Sequence, residues 1–367
     1  MNWYEIKNID TIDSPALVIY KERVLENIRL LKWMVNNNVD RLRPHVKTNK
    51  ISEVCQLMLD AGITKFKCAT IAEAEMLAMI AAPDVLLAYQ PVGPKAERFV
   101  KLLIQYPATR FSCLVDNIHS AEQLSKLGVE KNISMEVFID LNTGMNRTGI
   151  VPERASLLFE AIELLPSIKV IGLHAYDGQI RDTDLAHRKQ HIEQGFSKVV
   201  ILAETIKAVS DAQLIIVAGG SPTFPIYAGN RNVECSPGTF IFWDWGYKHT
   251  MPDEPFDYAA LVVTRVISII DETTITTDLG HKSVAAENPL PRVHFLNSPD
   301  AIPVSQSEEH LVLKVANATL YKPGSILYGV PVHICPTVAL YETAVLIENN
   351  SAIQEWQVVA RKRKITI

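Results

Sequence analysis

The chain is poor in cysteine and has no long apolar run, and each lack excludes a class of protein. Its five cysteines, at positions 55, 68, 113, 235 and 335, form no Cys-x-x-Cys pair, and their number is odd. A disulfide framework is therefore not expected. No apolar stretch is long enough to span a bilayer, and the N-terminal residues lack the apolar core of a signal peptide. These features predict a protein of the reducing cytoplasm without a membrane partner.

Positive charge is also scarce, and the Gly-x-Gly-x-x-Gly fingerprint does not follow any early strand-like run. The 367 residues carry a net charge of −5, and the pI is near 6.1. Nucleic acid is excluded as the main partner, because phosphate binding needs a basic surface. The missing fingerprint argues against a dinucleotide-binding, doubly wound sheet. The length predicts two domains.

What the chain does have is a long alternation of short apolar runs with longer amphipathic stretches. The runs predicted as strands are 43–47, 65–70, 85–89, 110–115, 135–141, 170–176, 214–220 and 232–238. The stretches predicted as helices include 51–59, 71–81, 95–105, 120–127, 153–164 and 185–210. This alternation indicates parallel β/α units. The number of runs predicts an α/β fold of the (β/α)8 barrel type, with an open doubly wound sheet as the alternative.

The pattern changes after about Asp244, where strand-like runs follow one another without helices. Turns rich in proline, asparagine and aspartate separate these runs, which predicts a C-terminal, mainly β domain. We therefore predict a barrel domain over residues 15–250 and a β domain over residues 251–367, joined by N-terminal residues 1–14. The strand-like run 15–20 is also expected to join the β domain.

Lys47 ends the first predicted strand of the barrel, in the run Arg43-Pro44-His45-Val46-Lys47-Thr48-Asn49-Lys50. Active sites of such barrels lie at the carboxyl ends of the strands. A partly desolvated lysine there has a lowered pKa and can form a Schiff base with a carbonyl compound. A surface lysine in a basic turn explains the same eight residues as well.

Small and hydroxylated residues follow the seventh and eighth predicted strands. Residues 218–223 read Ala-Gly-Gly-Ser-Pro-Thr, and residues 236–239 read Ser-Pro-Gly-Thr. Such residues expose backbone N–H groups and add hydroxyl donors, and the loops after strands seven and eight commonly hold a phosphate in barrels. One such segment is usually only a turn, but two on adjacent strands together with Lys47 favour a phosphate-bearing cofactor. Pyridoxal phosphate held on lysine as an imine fits this combination.

The full set of motifs resembles the D-threonine aldolase and D-serine dehydratase family, which are fold-type III, alanine racemase-like pyridoxal-phosphate enzymes. The matching stretches are Pro-His-x-Lys-Thr-x-Lys at 44–50, Thr-Gly-Met-x-Arg-x-Gly at 143–149, Tyr-Asp-Gly at 176–178, Gly-Gly-Ser-x-Thr at 219–223 and His-x-Cys at 333–335. These matches extend over nearly the whole chain. The resemblance implies a TIM barrel that binds the cofactor, followed by a mainly β domain.

The resemblance also implies roles for individual residues. Lys47 would carry pyridoxal phosphate, Arg147 would contact the phenolate oxygen of its ring, and Tyr176 would line the ring. The phosphate cradle would consist of Gly219, Gly220, Ser221, Thr223, Gly238 and Thr239. Taken without the resemblance, Arg147 is also compatible with a salt bridge in a loop, and Tyr176 with a core aromatic.

By the same resemblance, His333 and Cys335 would hold a divalent metal ion. On an extended segment their spacing places both side chains on one side, and imidazole with thiolate suits Zn²⁺. Without the resemblance, a His-x-Cys pair in a β domain is more typical of packing. Zinc is the expected ion, with manganese as the alternative. Glu309 and His310 are either hydrogen-bond partners of the ligands or surface charges.

Two positions depart from the family pattern. Asn49 replaces a histidine of the first motif, and Asp182 stands six residues after Tyr176, where the aldolases have a histidine thought to act as a base. A carboxylate with the usual pKa of about 3.9 is a weak base. Together with Cys335 in the metal pair, these departures favour dehydration over aldol cleavage, and Asp182 stays a candidate catalytic base.

The leading hypothesis is therefore a lyase that acts on small D-3-hydroxy amino acids and converts D-serine to pyruvate and ammonia. The alternative is a D-threonine aldolase, which yields glycine and acetaldehyde. An amino-acid racemase is less favoured, because racemases of this fold need no metal and use a tyrosine from a partner subunit. A non-enzymatic cofactor-binding protein of the same barrel class usually lacks the β domain. By analogy with this class we expect a homodimer.

Overall fold

The computed structural model describes residues 1–210 and 213–367. These residues form two compact units that interleave along the chain. The β unit comprises Met1–Leu30, Thr48–Glu53 and Thr239–Arg361, and the barrel unit comprises Leu31–Lys47, Val54–Gly238 and Lys362–Ile367. The sequence predicts a barrel domain over residues 15–250 and a β domain over residues 251–367 that is joined by residues 1–14. Within the ranges described, no helix combines the length and the apolar character needed to cross a membrane.

Strands and helices alternate as far as residue 235, and strands predominate beyond it. The strands are β1 (Ala16–Tyr20), β2 (Lys65–Cys68), β3 (Asp84–Leu87), β4 (Arg110–Val115), β5 (Met135–Leu141), β6 (Ile168–Ala175), β7 (Ile215–Ala218), β8 (Glu234–Cys235), β9 (Ala260–Asp271), β10 (Thr274–Thr277), β11 (Val293–Phe295), β12 (Ile302–Gln306), β13 (Leu311–Lys314), β14 (Ile326–Pro331), β15 (Thr343–Glu348) and β16 (Ser351–Gln357). The helices are α1 (Lys21–Met34), α2 (Ser52–Asp60), α3 (Ile71–Met79), α4 (Pro94–Gln105), α5 (Ile118–Lys131), α6 (Pro152–Glu163), α7 (Leu185–Ser210), α8 (Phe224–Ala228), α9 (Trp245–Thr250) and α10 (Ile334–Val338).

The barrel unit is built on a parallel sheet in the order β2-β3-β4-β5-β6-β7-β8. The run predicted as the first strand, 43–47, is not a regular strand but makes isolated β-bridges at Leu42 and His45 before a turn, and through them it closes this sheet into a ring. On one side the Arg43 N–H donates to the Cys235 carbonyl at 2.9 Å, and on the other the Val46 N–H donates to the Lys67 carbonyl at 2.9 Å. The (β/α)8 barrel predicted from the alternation is therefore confirmed.

Local signals explain why the predicted helices of the barrel begin and end close to where they are observed. The side chain of Thr70 caps α3 by accepting the Glu73 N–H, and the side chain of Asn117 caps α5 by accepting the Ser120 N–H. Asn132 ends α5 in the left-handed conformation, with φ of 53°. These contacts span only a few residues, so the sequence alone predicts them.

The interior of the barrel is filled by apolar side chains rather than left as a channel. Leu86, Leu114, Phe138 and Val217 pack together from β3, β4, β5 and β7. Phe138 fits because Gly172 of β6 has no side chain, since a Cβ atom there would lie 2.4 Å from the phenyl Cε1. Filling of this kind leaves the carboxyl ends of the strands as the place for a site.

The β unit contains a largely antiparallel sheet in the order β12-β13-β10-β9-β1-β15-β16, with β14 pairing with both β9 and β11. Its N-terminal strand β1 runs parallel to β15 and antiparallel to β9. The expectation that the run 15–20 joins the β domain is therefore confirmed. Apolar clusters that include Val262 and Leu313, and Val18 and Leu261, form the core of this unit.

Candidate active site

Lys47 lies at the carboxyl end of the segment that closes the barrel. Its backbone N–H donates to Nδ1 of His45 at 3.2 Å, which fixes the turn after the strand. The side chain is half-buried, and its Nζ atom lies 5.8 Å from the centroid of the Tyr176 ring. The amine is therefore presented beside an aromatic surface at the mouth of the barrel.

Lys67 is a second lysine at the same ring, and the sequence analysis missed it. It lies on β2 with only 2% of its surface exposed, and its Nζ atom is 5.5 Å from the Tyr176 ring centroid. Burial and the positive charge of Lys47 lower the pKa of Lys67 to about 7, against the opposing influence of Asp177 and Asp140. The signal available in the sequence was a lysine near the end of an apolar strand.

Arg147 completes a group of three basic side chains around Tyr176. Its guanidinium carbon lies 5.3 Å from the centroid of the same ring. Basic groups that converge on one place raise the local potential and attract an anionic ligand. The structure therefore brings together the three residues that were predicted to bind the cofactor ring, Lys47, Arg147 and Tyr176.

A buried histidine beside this group keeps one ring nitrogen unpaired. His174 Nδ1 lies 2.7 Å from Asp140 Oδ1, and burial lowers the pKa of His174, so the ring is neutral. A neutral ring gives its one N–H to the carboxylate, which leaves Nε2 as an acceptor. That buried Nε2 has no hydrogen-bond partner among the described residues, and His174 lines a cavity of about 30 Å³ with Arg147 and Tyr176. An orphaned acceptor here fits a ligand that donates a hydrogen bond.

The glycines after β7 form the turn that was predicted to hold a phosphate. Gly219 has a φ of +79°, and a Cβ atom there would lie 2.7 Å from Tyr227 Cδ2, so the turn requires glycine. Ser221 Oγ accepts the Gly238 N–H at 3.3 Å, which joins the turns after β7 and β8. Five of the predicted cradle residues are thus close together in the barrel unit, namely Gly219, Gly220, Ser221, Thr223 and Gly238.

Thr223 supports the turn with its hydroxyl. Its Oγ1 atom accepts the Gly220 N–H at 3.1 Å and donates to Asp177 Oδ1 at 2.9 Å. Burial raises the pKa of Asp177 to about 6, although hydrogen bonds from Thr223 and Tyr227 lower it. With its hydroxyl engaged on both sides, Thr223 shapes the turn.

The predicted metal pair lies at the start of a short helix. His333 is extended, with φ of −135° and ψ of 105°, and Cys335 is the second residue of α10. The prediction of one extended segment is therefore wrong for Cys335. The chain turns because Asp244 Oδ2 accepts the Ile334 N–H at 3.1 Å and Thr337 Oγ1 donates to the His333 carbonyl at 2.8 Å. The two side chains still meet, since a hydrogen bond joins His333 and Cys335.

Both members of this pair have further partners within the β unit. Nδ1 of His333 lies 2.6 Å from Glu287 Oε1, and Sγ of Cys335 lies 3.1 Å from Thr48 Oγ1 and 3.6 Å from Thr239 Oγ1. Burial would lower the pKa of His333, but Cys335 and nearby carboxylates raise it to about 9. In the part of the chain that the structure describes, no group of three or more histidine, cysteine, aspartate or glutamate side chains could hold a metal ion. Imidazole and thiolate are both ligands that Zn²⁺ accepts, and two of them leave coordination positions open for water and substrate.

Asp182 lies in the loop between β6 and α7 and is paired with a histidine. Its Oδ2 atom is 2.8 Å from Nδ1 of His191, and its backbone carbonyl accepts a hydrogen bond from Arg188 Nη1 at 3.3 Å. His191 in turn lines an open pocket of about 540 Å³ with Thr143 and Gln179. The Asp182 carboxylate therefore orients the His191 imidazole. The sequence analysis considered Asp182 alone and did not identify His191 as its partner.

Asn49, the other departure from the family pattern, has a local structural role. The residue is buried, and its side-chain Oδ1 accepts the Ile51 N–H at 3.0 Å. Such a bond from an asparagine side chain to the backbone two residues on stabilises a turn, here the one that leads into α2. Asn49 therefore contributes to the path of the chain just after Lys47.

Replacement of Lys67 by methionine should stabilise the protein, and the gain should depend on pH. The unfolded chain holds the Lys67 proton up to its ordinary pKa near 10.5, whereas the folded chain releases it at about 7. Between these values the lysine destabilises the fold by about 1.4 kcal/mol for each unit that the pH lies below 10.5. Urea unfolding of the cofactor-free protein at pH 7 and pH 9 measures this, and we expect the larger gain at pH 7.

The control for this experiment is Lys169→Met, at an exposed position on β6. That change should alter the free energy of unfolding by no more than about 0.5 kcal/mol at either pH. An equal gain from Lys67→Met at both pH values would mean that the lysine is charged in the folded protein, contrary to its burial.

Two family models match consecutive parts of the chain. The model described as alanine racemase, N-terminal domain, matches residues 19–244, and the model described as putative serine dehydratase domain matches residues 259–347. The first match alone covers more than half of the chain. The chain is also 24% identical to the D-threonine aldolase of Arthrobacter sp., over 95% of this chain and 93% of that protein. It is 23% identical to the D-threo-3-hydroxyaspartate dehydratase of Delftia sp. (strain HT23), over 95% and 97%.

Solved structures show the same fold. The D-threonine aldolase from Filomicrobium marinum superposes with a TM-score of 0.88 at 23% identity, over 98% of both chains. The D-threo-3-hydroxyaspartate dehydratase has a TM-score of 0.82 at 23% identity, over 95% of this chain and 97% of that one, and a cysteine-to-alanine variant of it was solved in a metal-free form. The chain therefore belongs to the D-threonine aldolase and D-serine dehydratase family of alanine racemase-like, pyridoxal-phosphate-dependent lyases.

Proposed function

We propose that this lyase acts on small D-3-hydroxy amino acids, requires a divalent metal ion, and dehydrates D-serine to pyruvate and ammonia. The observation that carries the proposal is the group of basic side chains at Tyr176, where Lys47, Lys67 and Arg147 all lie within 5.8 Å of the ring centroid. An amine beside an anion-attracting surface can both hold a cofactor and accept a proton. The metal-free form reported for a related dehydratase supports the metal requirement.

The residues of this chain would divide the work as follows. Lys47 holds the cofactor and is the amine that takes up the proton from the substrate Cα, while Arg147 and His174 bind and orient the cofactor ring. The Gly219–Gly220 turn binds its phosphate, and His333 and Cys335 hold the metal ion. When bound, pyridoxal phosphate supplies an electron sink and the metal ion supplies a Lewis acid for the substrate hydroxyl. In the net reaction D-serine loses its β-hydroxyl and α-proton as water, and a water molecule then releases the amino group as ammonia.

Dehydration is proposed over aldol cleavage because of what each reaction asks of the protein. Elimination needs a base at the α-proton and a Lewis acid at the leaving oxygen, whereas retro-aldol cleavage needs a base at the substrate hydroxyl. Asp182, the candidate for that second base, already shares a hydrogen bond with His191 at 2.8 Å. That hydrogen bond occupies the oxygen that Asp182 would have to offer to the substrate hydroxyl.

Product analysis tests this choice. D-Serine should give pyruvate and ammonia, and D-threonine should give 2-oxobutanoate and ammonia with little glycine or acetaldehyde. Each substrate is incubated with the metal-loaded enzyme, with the chelated enzyme and with the Lys47→Ala variant as the matched blank. Glycine as the dominant product from D-threonine would overturn the dehydratase assignment.

The second candidate function is D-threonine aldolase, in which His191 rather than Asp182 would be the base at the substrate hydroxyl. A carboxylate that holds Nδ1 of an imidazole is the usual arrangement for a histidine base. If His191 serves in this way, His191→Gln will lower glycine formation from D-threonine by about 10²-fold or more. If the enzyme is a dehydratase, the same variant should form pyruvate from D-serine at close to the wild-type rate.

We further propose that the enzyme works as a homodimer without nucleic acid or membrane partners. The net charge of −5 supports the absence of a nucleic-acid partner. Light scattering of the cofactor-loaded protein should give about twice the chain mass of 41.0 kDa. A mass equal to that of one chain across the working concentration range would contradict the dimer.

A further inference from the structure

We propose that Glu287 is a positioning residue for the metal site, an inference that rests on the proposed metal requirement. Its Oε1 atom lies 2.6 Å from Nδ1 of His333, which is hydrogen-bond distance. A carboxylate can only accept in this contact, so it fixes the proton on Nδ1. A metal ion that binds the ring displaces its other proton, and Nε2 is then the nitrogen that gives the ion a lone pair.

The same contact fixes the direction of the ring. His333 is 42% exposed on its side chain and Glu287 is 44% exposed, so packing alone does not hold either one in place. A rotating imidazole would lose side-chain entropy on metal binding, and the hydrogen bond removes that loss beforehand. Glu287 therefore raises metal affinity both through the tautomer and through the orientation.

Cys335 is held by a corresponding set of contacts within the β unit. Thr48 Oγ1 lies 3.1 Å from Sγ, and the buried Asp244 fixes the intervening residue through the Ile334 N–H. A hydroxyl that donates to sulfur stabilises the thiolate form that a metal ion requires. The imidazole and the sulfur thus both have polar neighbours that can orient them, and Glu287 is such a neighbour of the imidazole.

The acidic residue that holds His333 differs from the one the sequence suggested. Glu309 was a candidate, but its carboxylate lies 3.0 Å from Lys282 Nζ, which Glu308 also contacts at 2.6 Å. Glu287 lies instead in the connection between β10 and β11, 46 residues before His333. Because Glu309 is also an exposed glutamate of the β unit with one cationic partner, it offers a matched control for a change at Glu287.

The test measures metal affinity directly. The cofactor-loaded enzyme is stripped with a chelator and titrated with Co²⁺, and binding is followed by the absorption bands of a cobalt–thiolate centre. The variants are Glu287→Gln, which keeps the size but loses the charge, and Glu309→Gln. Glu287→Gln should raise the Co²⁺ dissociation constant by about 10- to 100-fold, and Glu309→Gln should leave it within about twofold of wild type.

Further measurements distinguish a specific loss of metal affinity from a general loss of folding. The melting temperature and the visible-edge absorbance of the bound cofactor should be the same in both variants as in wild type. Glu287→Asp, which keeps the charge, should recover part of the lost affinity. Unchanged Co²⁺ affinity in Glu287→Gln would overturn the inference about Glu287. Failure of the wild-type enzyme itself to show a cobalt–thiolate band would instead overturn the proposed metal requirement.

Discussion

Replacement of Lys47 by alanine should abolish the covalent attachment of pyridoxal phosphate and lower lyase turnover by at least about 10³-fold. Lys47 lies at the end of the segment that closes the barrel, and its Nζ atom is 5.8 Å from the Tyr176 ring centroid. Both proposed roles of this side chain, holding the cofactor and accepting the α-proton, depend on its amine. The visible-edge absorbance of the purified enzyme should disappear in Lys47→Ala, and borohydride should no longer fix the cofactor to the protein.

Lys67 makes this experiment discriminating, because a second amine faces the same ring at 5.5 Å. Peptide mapping after borohydride reduction of the wild-type enzyme should find the label on Lys47. Lys67→Met serves as the control and should keep the label on Lys47. A wild-type label on Lys67, with none on Lys47, would reverse the two assignments and remove the base proposed for the α-proton.

Removal of the metal should lower turnover about as much as Lys47→Ala does, but it should leave the cofactor attached to the protein. Chelation, or the change Cys335→Ala, should reduce D-serine turnover to the background rate, because hydroxide is a poor leaving group without a Lewis acid. The absorbance of the bound cofactor should persist, since Lys47, which is proposed to hold the cofactor, belongs to the barrel unit, whereas His333 and Cys335 belong to the β unit.

The matched control for the metal experiment is Cys113→Ala. Cys113 is fully buried on β4, and burial raises the pKa of its thiol, so it is not available as a ligand. That variant should keep metal content and turnover. Full activity of a Cys335→Ala enzyme shown by elemental analysis to be metal-free would mean that the His333–Cys335 pair is structural.

Most of the barrel could be predicted from the sequence, because its signals are local. The bounds of β4, β5 and α7 agree with the predicted runs 110–115, 135–141 and 185–210. Caps such as Thr70 and Asn117 act over three residues, and the Gly219–Gly220 turn requires glycine for the φ of its first residue. The position of Lys47 at the end of the segment that closes the barrel follows from the same short-range pattern.

The interleaving of the two units along the chain could be predicted from the sequence only in part. The sequence predicts that the run 15–20 joins the β domain, but it does not show that residues 48–53, directly after Lys47, belong there as well. Their membership depends on contacts with residues far along the chain, such as Thr48 with Cys335. Periodicity reports which face of an element is apolar, and it does not report which distant element covers that face.

The sequence by itself determined the order of β/α units, the turn of small residues after β7 and the lysine at the end of the segment that closes the barrel. Each of these features depends on residues that are neighbours in the chain. What only the tertiary structure decided is the set of partners: Lys67 beside Lys47, Asp140 on His174, His191 on Asp182 and Glu287 on His333. The physical reason is that hydrogen bonds and charges act through space over a few ångströms. The residues that they join here are separated by between 9 and 46 positions, too far for any local pattern to record.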